Sequence, residues 1–176
     1  MSHDRLIKYN VTLSLDGYIA DRDGNVDWLV EDDTYEWEPF YSSCDTVIMG
    51  RETHDFAVAH GMTSYEGMKN YVFSRMRDSD DVGDVEYRSG DVADLVDELR
   101  EKEGKHIWLI GGASLAAQFF DVSLVDEIIA TVQPMVLGSG IRLLDEIPTR
   151  TPVRLISSQV YPSGLVQLTY RCRGKA

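Results

Sequence analysis

Two short apolar runs of the chain each end in glycine and lead directly into a helical pattern. One junction reads Val47-Ile-Met-Gly-Arg-Glu-Thr53, and the other reads Trp108-Leu-Ile-Gly-Gly-Ala-Ser114. A fully apolar strand, as at residues 107–110, is typical of the centre of a sheet with both faces covered. Helices that follow such strands supply the two covering layers. The junctions therefore predict a parallel sheet core enclosed by helices.

The rest of the chain continues the alternation of strands and helices. The predicted strands cover residues 7–15, 46–49, 71–74, 85–88, 107–110, 127–132, 153–160 and 165–171. The predicted helices cover residues 37–44, 51–59, 92–99 and 114–120. Asp91 is placed to cap the third helix, and Pro39 must begin or kink the first. The last two strands read as an antiparallel hairpin. The order predicts one three-layer α/β/α domain over residues 1–176, with a mixed sheet.

The charge balance excludes one class of partner. Thirty acidic residues face seventeen basic ones, the formal net charge is −13, and no basic run occurs. Binding to nucleic acid through phosphate neutralisation is therefore not expected. Asp (19) outnumbers Glu (11), and Arg (12) outnumbers Lys (5). This bias suits a halophile with a salt-rich cytoplasm, where screening removes self-repulsion. The alternative is an ordinary acidic enzyme that its charge keeps in solution.

Several other kinds of site and location are not expected. The longest apolar runs, such as residues 107–110, are too short to cross a membrane. The first residues contain no apolar signal-peptide core, so a cytoplasmic location is the default expectation. Neither Cys44 nor Cys172 belongs to a ligand motif, and the four histidines show no metal-binding spacing. We therefore predict neither a metal site nor a cysteine nucleophile.

The two glycine junctions predict an anion site. Glycine lets a ligand approach the backbone closely, and the free N–H groups of the following helix attract negative charge. Arg51 would add a positive charge, and Thr53 a hydroxyl donor. Each junction alone favours a simple tight turn, but the two together favour one long ligand with a diphosphate. The sequence contains neither the G-x-G-x-x-G fingerprint nor a Walker A motif.

Five motifs in order carry a resemblance to a known family. They are Leu13-Ser-Leu-Asp-Gly-Tyr-Ile-Ala20, Ile48-Met-Gly-Arg-Glu-Thr53, Tyr71-Val-Phe-Ser-Arg75, Leu109-Ile-Gly-Gly-Ala-Ser-Leu115, and the stretch from Leu124-Val-Asp-Glu127 to Pro134-Met-Val-Leu-Gly-Ser-Gly140. As an ordered set the chain resembles the dihydrofolate-reductase-like superfamily. The most similar branch is the one shared with the C-terminal reductase domain of riboflavin biosynthesis (RibD). The resemblance extends from Lys8 to Tyr170.

The resemblance implies a sheet of about eight strands, NADPH as hydride donor, and a homodimer. It assigns Gly50, Arg51 and Thr53 to the cofactor phosphates. Ser74 and Arg75 would hold the adenosine ribose and its 2′-phosphate. The implied contacts with the nicotinamide side and the diphosphate are made by Gly111, Gly112, Ala113, Ser114 and Leu115. Family members commonly have a cis bond between the two glycines.

Two carboxylates are candidates for the proton that must accompany the hydride. Folate reductases carry one carboxylate on the helix after the first loop, and Asp33 aligns best with it by its spacing from Trp28. Acids at a helix start are also favoured for purely structural reasons. Asp16, in the Ser-Leu-Asp-Gly motif, is the rival as a substrate-contacting group. Both residues are retained as catalytic candidates.

Some departures from the family keep the substrate open. The riboflavin branch usually has a basic residue where this chain has Tyr18, and the deaminase domain often fused to it is absent. The Leu-Pro-x-Asp segment of folate reductases is also missing, and Ala113 stands for their third glycine.

The leading interpretation is therefore an NADPH-dependent reductase of a small pterin-like or pyrimidine-like heterocycle. One alternative is the riboflavin-pathway 5-amino-6-(5-phosphoribosylamino)uracil reductase. Another is a non-catalytic nucleotide-binding protein. For the cofactor itself, the alternative to phosphate binding is that Arg51 and Arg75 only neutralise acids such as Glu52 and Asp78.

Overall fold

A mixed sheet of eight strands forms the centre of the computed structural model, which describes residues 5–75 and 84–172. The strands are β1 (Ile7–Ser14), β2 (Tyr18–Ala20), β3 (Cys44–Gly50), β4 (Lys69–Phe73), β5 (Val85–Arg88), β6 (His106–Gly111), β7 (Glu127–Gln133), β8 (Ile141–Arg142), β9 (Val153–Val160) and β10 (Val166–Cys172). The helices are α1 (Glu38–Tyr41), α2 (Arg51–Ala59), α3 (Val92–Arg100) and α4 (Ala113–Asp121).

The strand order of the main sheet is β5-β4-β3-β6-β1-β7-β10-β9. The first six strands in this order pair in parallel, and β10 pairs antiparallel with both β7 and β9. The predicted mixed sheet and C-terminal hairpin are therefore confirmed. The apolar strand β6 lies between β3 and β1, in the interior of the sheet, as its composition predicts.

Helices cover both faces of this sheet. On one face, α3 and α4 pack against strand residues that include Tyr9 and Leu109. On the other face, Phe40 and Tyr41 of α1 pack around Trp108. Helix α2 lies on this second face too, because its buried His54 contacts Tyr87 of the same apolar cluster. The three-layer prediction is confirmed. No helix in residues 5–75 and 84–172 combines the length and apolar character needed to cross a membrane.

Local patterns predicted most elements but not all. Asp91 caps α3, since its carboxylate accepts the N–H of Ala93 at 2.9 Å. The helix predicted over residues 37–44 is wrong in length, because α1 ends at Tyr41 and Cys44 begins β3. Cys44 is in register with His106 of β6, so strand pairing prevails over helical periodicity there. The small antiparallel sheet of β2 and β8 was not predicted.

Candidate functional site

The carboxyl ends of β4, β3 and β6 meet at one edge of the sheet, because these strands are neighbours and parallel. Gly50 at the end of β3 lies against Gly111 at the end of β6. A Cβ atom added to Gly50 would lie 3.6 Å from the Gly111 carbonyl oxygen and 3.8 Å from the Leu115 Cβ. The structure thus brings the two glycine junctions together, as the single-ligand interpretation requires. In open α/β sheets, ligands bind at this kind of edge.

A side-chain hydrogen bond connects the two junctions directly. The N–H of Gly112 donates to the Thr53 hydroxyl at 2.9 Å, which ties the start of α4 to the first turn of α2. The peptide bond between Gly111 and Gly112 is cis, as the resemblance implies. Gly111 has φ of +101°, a conformation that residues with a Cβ rarely adopt. An added Cβ there would also meet the Tyr9 ring at 3.4 Å.

Two helices begin at this edge without a side-chain cap. Gly50 is the N-cap of α2 and Gly112 is the N-cap of α4, and neither position supplies a hydrogen bond from a side chain. The N–H groups of both first turns, and the positive ends of both helix dipoles, are therefore placed for an anion. Ala113 and Leu115 bury their side chains in the core, while Ser114 is exposed. Ala113 and Leu115 can thus serve a ligand only through backbone groups.

The two predicted phosphate arginines have different surroundings. The Nε of Arg51 donates to the Asp55 carboxylate at 2.8 Å, and its guanidinium lies 5.4 Å from the centre of the Tyr87 ring. Asp55 thus replaces Glu52 as the ion-pair partner considered from the sequence. The other acid considered there, Asp78, lies outside the described residues. Arg75 is exposed, next to the carboxyl end of β4.

Ser74 extends the same edge by one strand. Its N–H donates to the carbonyl oxygen of Arg88 at 2.9 Å, just beyond the last residue of β4. Six predicted cofactor residues therefore lie along the ends of three neighbouring strands: Gly50, Arg51, Ser74, Arg75, Gly111 and Gly112. We call this edge, with Thr53, the glycine edge.

A cavity of about 620 Å³ lies beside the glycine edge, over β1 and β7. Its floor includes Thr12, Thr131 and Gln133, and its roof is formed by residues between 26 and 37. Thr12 and Thr131 are direct neighbours in the ladder of β1 and β7. Since β1 is also the sheet neighbour of β6, a ligand in this cavity would be close to a ligand on the glycine edge.

Hydrogen bonds hold the roof of the cavity on its floor. The N–H of Val30 donates to Oε1 of Gln133 at 2.9 Å. The Tyr35 hydroxyl lies 3.2 Å from Oγ1 of Thr131 and accepts from Nε2 of Gln167 at 2.8 Å. The Asp32 carboxylate accepts the N–H of Ser163 at 2.9 Å. These bonds give residues 26–37, which contain little regular structure, a fixed position over the sheet.

Asp32 is an anchor of this roof rather than a proton donor. Hydrogen bonds from Ser163 and Thr34 hold the pKa of its carboxyl well below the usual range. Asp33, one residue later, is exposed and lines the cavity. It lies in a turn and not on a helix, because α1 begins only at Glu38. The expected helical placement is therefore wrong, although Asp33 does line the cavity.

Asp16 lies where two loops meet. Its carboxylate accepts the Ser14 hydroxyl at 2.7 Å and the N–H groups of Leu137 and Gly138 at 3.0 and 2.7 Å. The bond from Ser14, followed by that from Leu137, lowers the pKa of Asp16. An acid stabilised in its ionised form is poorly suited to give up a proton near neutral pH. The geometry instead shows Asp16 connecting the loop after β1 to the loop after β7.

We expect Asp16→Asn to lower thermal stability at neutral pH and to have less effect in acid. The depressed pKa of the folded state means that Asp16 contributes stability above its unfolded pKa of about 4, and that this contribution is lost as the pH falls through the folded value. Melting curves of both proteins from about pH 7 to about pH 3 check this. A difference in Tm between variant and wild type that stays constant over this range would contradict the assignment.

Sequence reasoning did not identify the cavity floor. Thr131 and Gln133 are both buried although they are polar, and they lie on strand β7, which also contains Glu127 and four apolar residues. The signal in the sequence is that both polar residues alternate with apolar ones at the end of this strand. Tyr35, which contacts Thr131, carried no motif that could have indicated its role.

Comparisons with known proteins agree with this geometry. The family model of the RibD C-terminal domain matches residues 5–167. The protein YwjB of Bacillus subtilis is 36% identical over 167 residues, which cover 91% of this chain and 94% of that protein. A Shewanella sp. PV-4 protein described as a riboflavin biosynthesis protein has a crystal structure with a TM-score of 0.85 and 26% identity, covering 96% of this chain and 99% of that one. Dihydrofolate reductase from Enterococcus faecalis, complexed with NADP(H) and RAB-propyl, shares the fold, with a TM-score of 0.65, 16% identity and 96% coverage of both chains.

Proposed function

The chain belongs to the RibD C-terminal domain family of riboflavin-type reductases, and we propose that it transfers a hydride from NADPH to a pterin-like or pyrimidine-like heterocycle. The observation that carries the proposal is the position of the cavity beside the glycine edge. Two ligands, one on each, would lie over neighbouring strands of one sheet. Direct transfer of a hydride requires the donor and the acceptor to lie next to each other.

The glycine edge fits the diphosphate of a dinucleotide. Two uncapped helix starts, at Gly50 and Gly112, supply N–H donors, and the absence of side chains at these positions leaves room for a close approach. NADPH, when bound, supplies the hydride. Thr53 keeps the start of α4 in place through its bond to Gly112, so the donors of the two helices keep a fixed spacing. Arg51 and Arg75 add positive charge at the same edge.

The cavity fits a small heterocycle. Its volume of about 620 Å³ lies within the usual range of about 300–1,000 Å³ for small-molecule sites. Tyr35 and Trp37 offer aromatic surface, and Thr12, Thr131 and Gln133 offer polar groups. The roof of residues 26–37 shields the floor from water, which favours controlled delivery of a proton. Asp33 lines this space and is the residue that we propose as the proton donor.

Two measurements on the purified protein test the proposal. Titration with NADPH, followed by its fluorescence, tests cofactor binding. Loss of nicotinamide absorbance after addition of a dihydropterin, or of 5-amino-6-(5-phosphoribosylamino)uracil, tests reduction. Binding of NADPH with reduction of either compound is the expected result. Binding of NADPH without oxidation by any heterocycle of these classes would instead support a nucleotide-binding protein without turnover.

We also propose a homodimer formed through β9. This strand is the edge of the eight-stranded sheet and is exposed along its whole length. Leu155 and Ile156 are each about half exposed, although they are large and apolar. A second copy of the same strand, related by a twofold axis, would cover these side chains and pair the open edge.

The double substitution Leu155→Lys, Ile156→Lys is expected to convert the dimer to a monomer, because two charges would have to be buried at the interface. Light scattering after gel filtration gives the mass of each form. Val122→Lys, at an exposed apolar position after α4, is the control and should leave the mass unchanged. A wild-type protein that is monomeric at high concentration would contradict the proposal.

A further inference from the structure

All the charged side chains among the described residues that line the cavity are carboxylates. Among the described lining residues, none is lysine or arginine. Four are acidic: Asp27, Glu31, Asp32 and Asp33. Asp32 is held ionised by its bonds to Ser163 and Thr34. The other three form no hydrogen bond or ion pair with another residue in the described part of the chain. Their charges are therefore not neutralised by the protein.

The floor contributes a buried polar group whose donor is not used by the protein. Gln133 is only 4% exposed and lines the cavity. Its Oε1 accepts the N–H of Val30 at 2.9 Å, which identifies the other end of the amide as the NH₂ group. That Nε2 has no hydrogen-bond partner among residues 5–75 and 84–172. Because Gln133 lines the cavity, this free donor is placed to bond to a ligand there.

A second buried amide, that of Asn10, lies on the face of β1 that carries Thr12. Asn10 is 6% exposed, and neither its Oδ1 nor its Nδ2 has a partner in the described structure. It lies two residues before Thr12, so both side chains leave the strand on the same face. Asn10 itself does not line the cavity, and it extends the polar face of β1 from Thr12 into the buried interior. Its amide carries an NH₂ group with two donors and a carbonyl oxygen that can accept.

Resting on the function proposed above, we propose that the cavity selects an amino-substituted heterocycle that carries no phosphate. Amino groups of the ligand would donate to the carboxylates of the wall. The Nε2 of Gln133 would donate to a ring nitrogen or a carbonyl oxygen of the ligand. A phosphate group would meet several uncompensated negative charges close together, and their repulsion is strongest at low salt.

Two pyrimidines that differ only in the phosphate test this selectivity. One is 5-amino-6-(5-phosphoribosylamino)uracil, and the other is the same compound after removal of its phosphate with a phosphatase. Calorimetric titration of each into the protein saturated with NADP⁺ gives two dissociation constants. We expect the compound without phosphate to bind at least ~10-fold more tightly at low salt. The difference should shrink in molar salt, because screening acts on the repulsion.

A pair of variants separates the cavity charges from the overall charge of the protein. Asp27→Asn with Glu31→Gln removes two charges from the wall and should reduce the discrimination against the phosphate several-fold. Asp121→Asn with Glu101→Gln removes two charges from the ends of α4 and α3, on the opposite face of the sheet. This control should keep the wild-type ratio of the two constants.

The possible failures are distinguishable. Equal or tighter binding of the phosphorylated compound by the wild type would overturn the inference, while NADPH oxidation by that compound would leave the proposed reductase function standing. An unchanged ratio in the Asp27 and Glu31 variant would also overturn it. A protein that does not bind NADPH would contradict the proposed function, and the inference would fall with it.

Discussion

Replacing Asp33 with asparagine is expected to lower the turnover of heterocycle reduction by about 10²–10⁴-fold, the usual contribution of general acid catalysis. Asp33 lines the cavity and forms no hydrogen bond with another described residue, so its carboxyl group is free to contact a ligand. Asp16 and Asp32, in contrast, are engaged as acceptors, and their pKa values are lowered by those bonds. Among the acids considered from the sequence, Asp33 is the one that the geometry leaves suited to proton transfer.

The affinity for NADPH should be nearly unchanged in Asp33→Asn, because the glycine edge is built from other residues. A fall in turnover without a change in cofactor binding indicates loss of a step in the reaction, and not loss of the bound complex. Asp23→Asn is the matched control, since Asp23 is exposed and does not line the cavity. Near-normal turnover of Asp33→Asn would contradict the assignment and would favour a donor elsewhere, Asp16 included.

The glycine edge was predictable because its signals are local. A short apolar strand, a glycine and an amphipathic helix occupy consecutive residues at Gly50 and again at Gly111. Parallel pairing of β3 with β6 then brings the two together without further information. The hydrogen bond from Gly112 to Thr53 was not predictable in the same way, because it depends on the relative position of two helices and joins residues that are 59 positions apart in the sequence.

The cavity was not predictable, because the alternating pattern of β1 predicts that its polar face is open to solvent. Apolar and polar residues alternate along this strand, which normally indicates one buried face and one solvated face. In the structure, the polar face is covered too, and Asn10 is almost completely buried. The cover comes from residues 26–37, which show no helical or strand periodicity. Their position depends on distant contacts such as Val30 with Gln133, and no local pattern encodes those contacts.

In the segment around Pro39, helical periodicity competes with strand pairing. Helical spacing of apolar residues extends from Trp37 to Cys44 in the sequence. Cys44 and the residues after it instead pair with β6, which satisfies the backbone of a strand over its full length. A helix of four residues remains, and its apolar side chains pack on Trp108. The periodicity thus identified Phe40 and Tyr41 as side chains that pack on the sheet, but Trp37 is about half exposed, and the helical backbone extends over only part of the predicted range.

Wild-type protein is expected to bind NADPH more tightly than NADH by about 1.5–3 kcal/mol, or roughly 10–150-fold, the usual contribution of a charged hydrogen bond. The two cofactors differ by one 2′-phosphate, and arginine grips a phosphate with parallel charge-assisted bonds. Arg51 uses its Nε for Asp55, and both side chains of that pair are about half exposed. Such a surface pair contributes little, so a phosphate can compete with it for the guanidinium.

The double substitution Arg51→Ala, Arg75→Ala should remove most of this preference and leave the affinity for NADH nearly unchanged. Fluorescence titrations with each cofactor give the four dissociation constants. Arg22→Ala with Arg154→Ala removes the same charge from exposed positions away from the glycine edge and should keep the wild-type preference. If NADPH and NADH bind the wild type equally, the two arginines serve only to balance nearby acids. A loss of preference confined to the first pair would instead place the 2′-phosphate at the ends of β3 and β4, where the order of the strands brings both arginines to one edge.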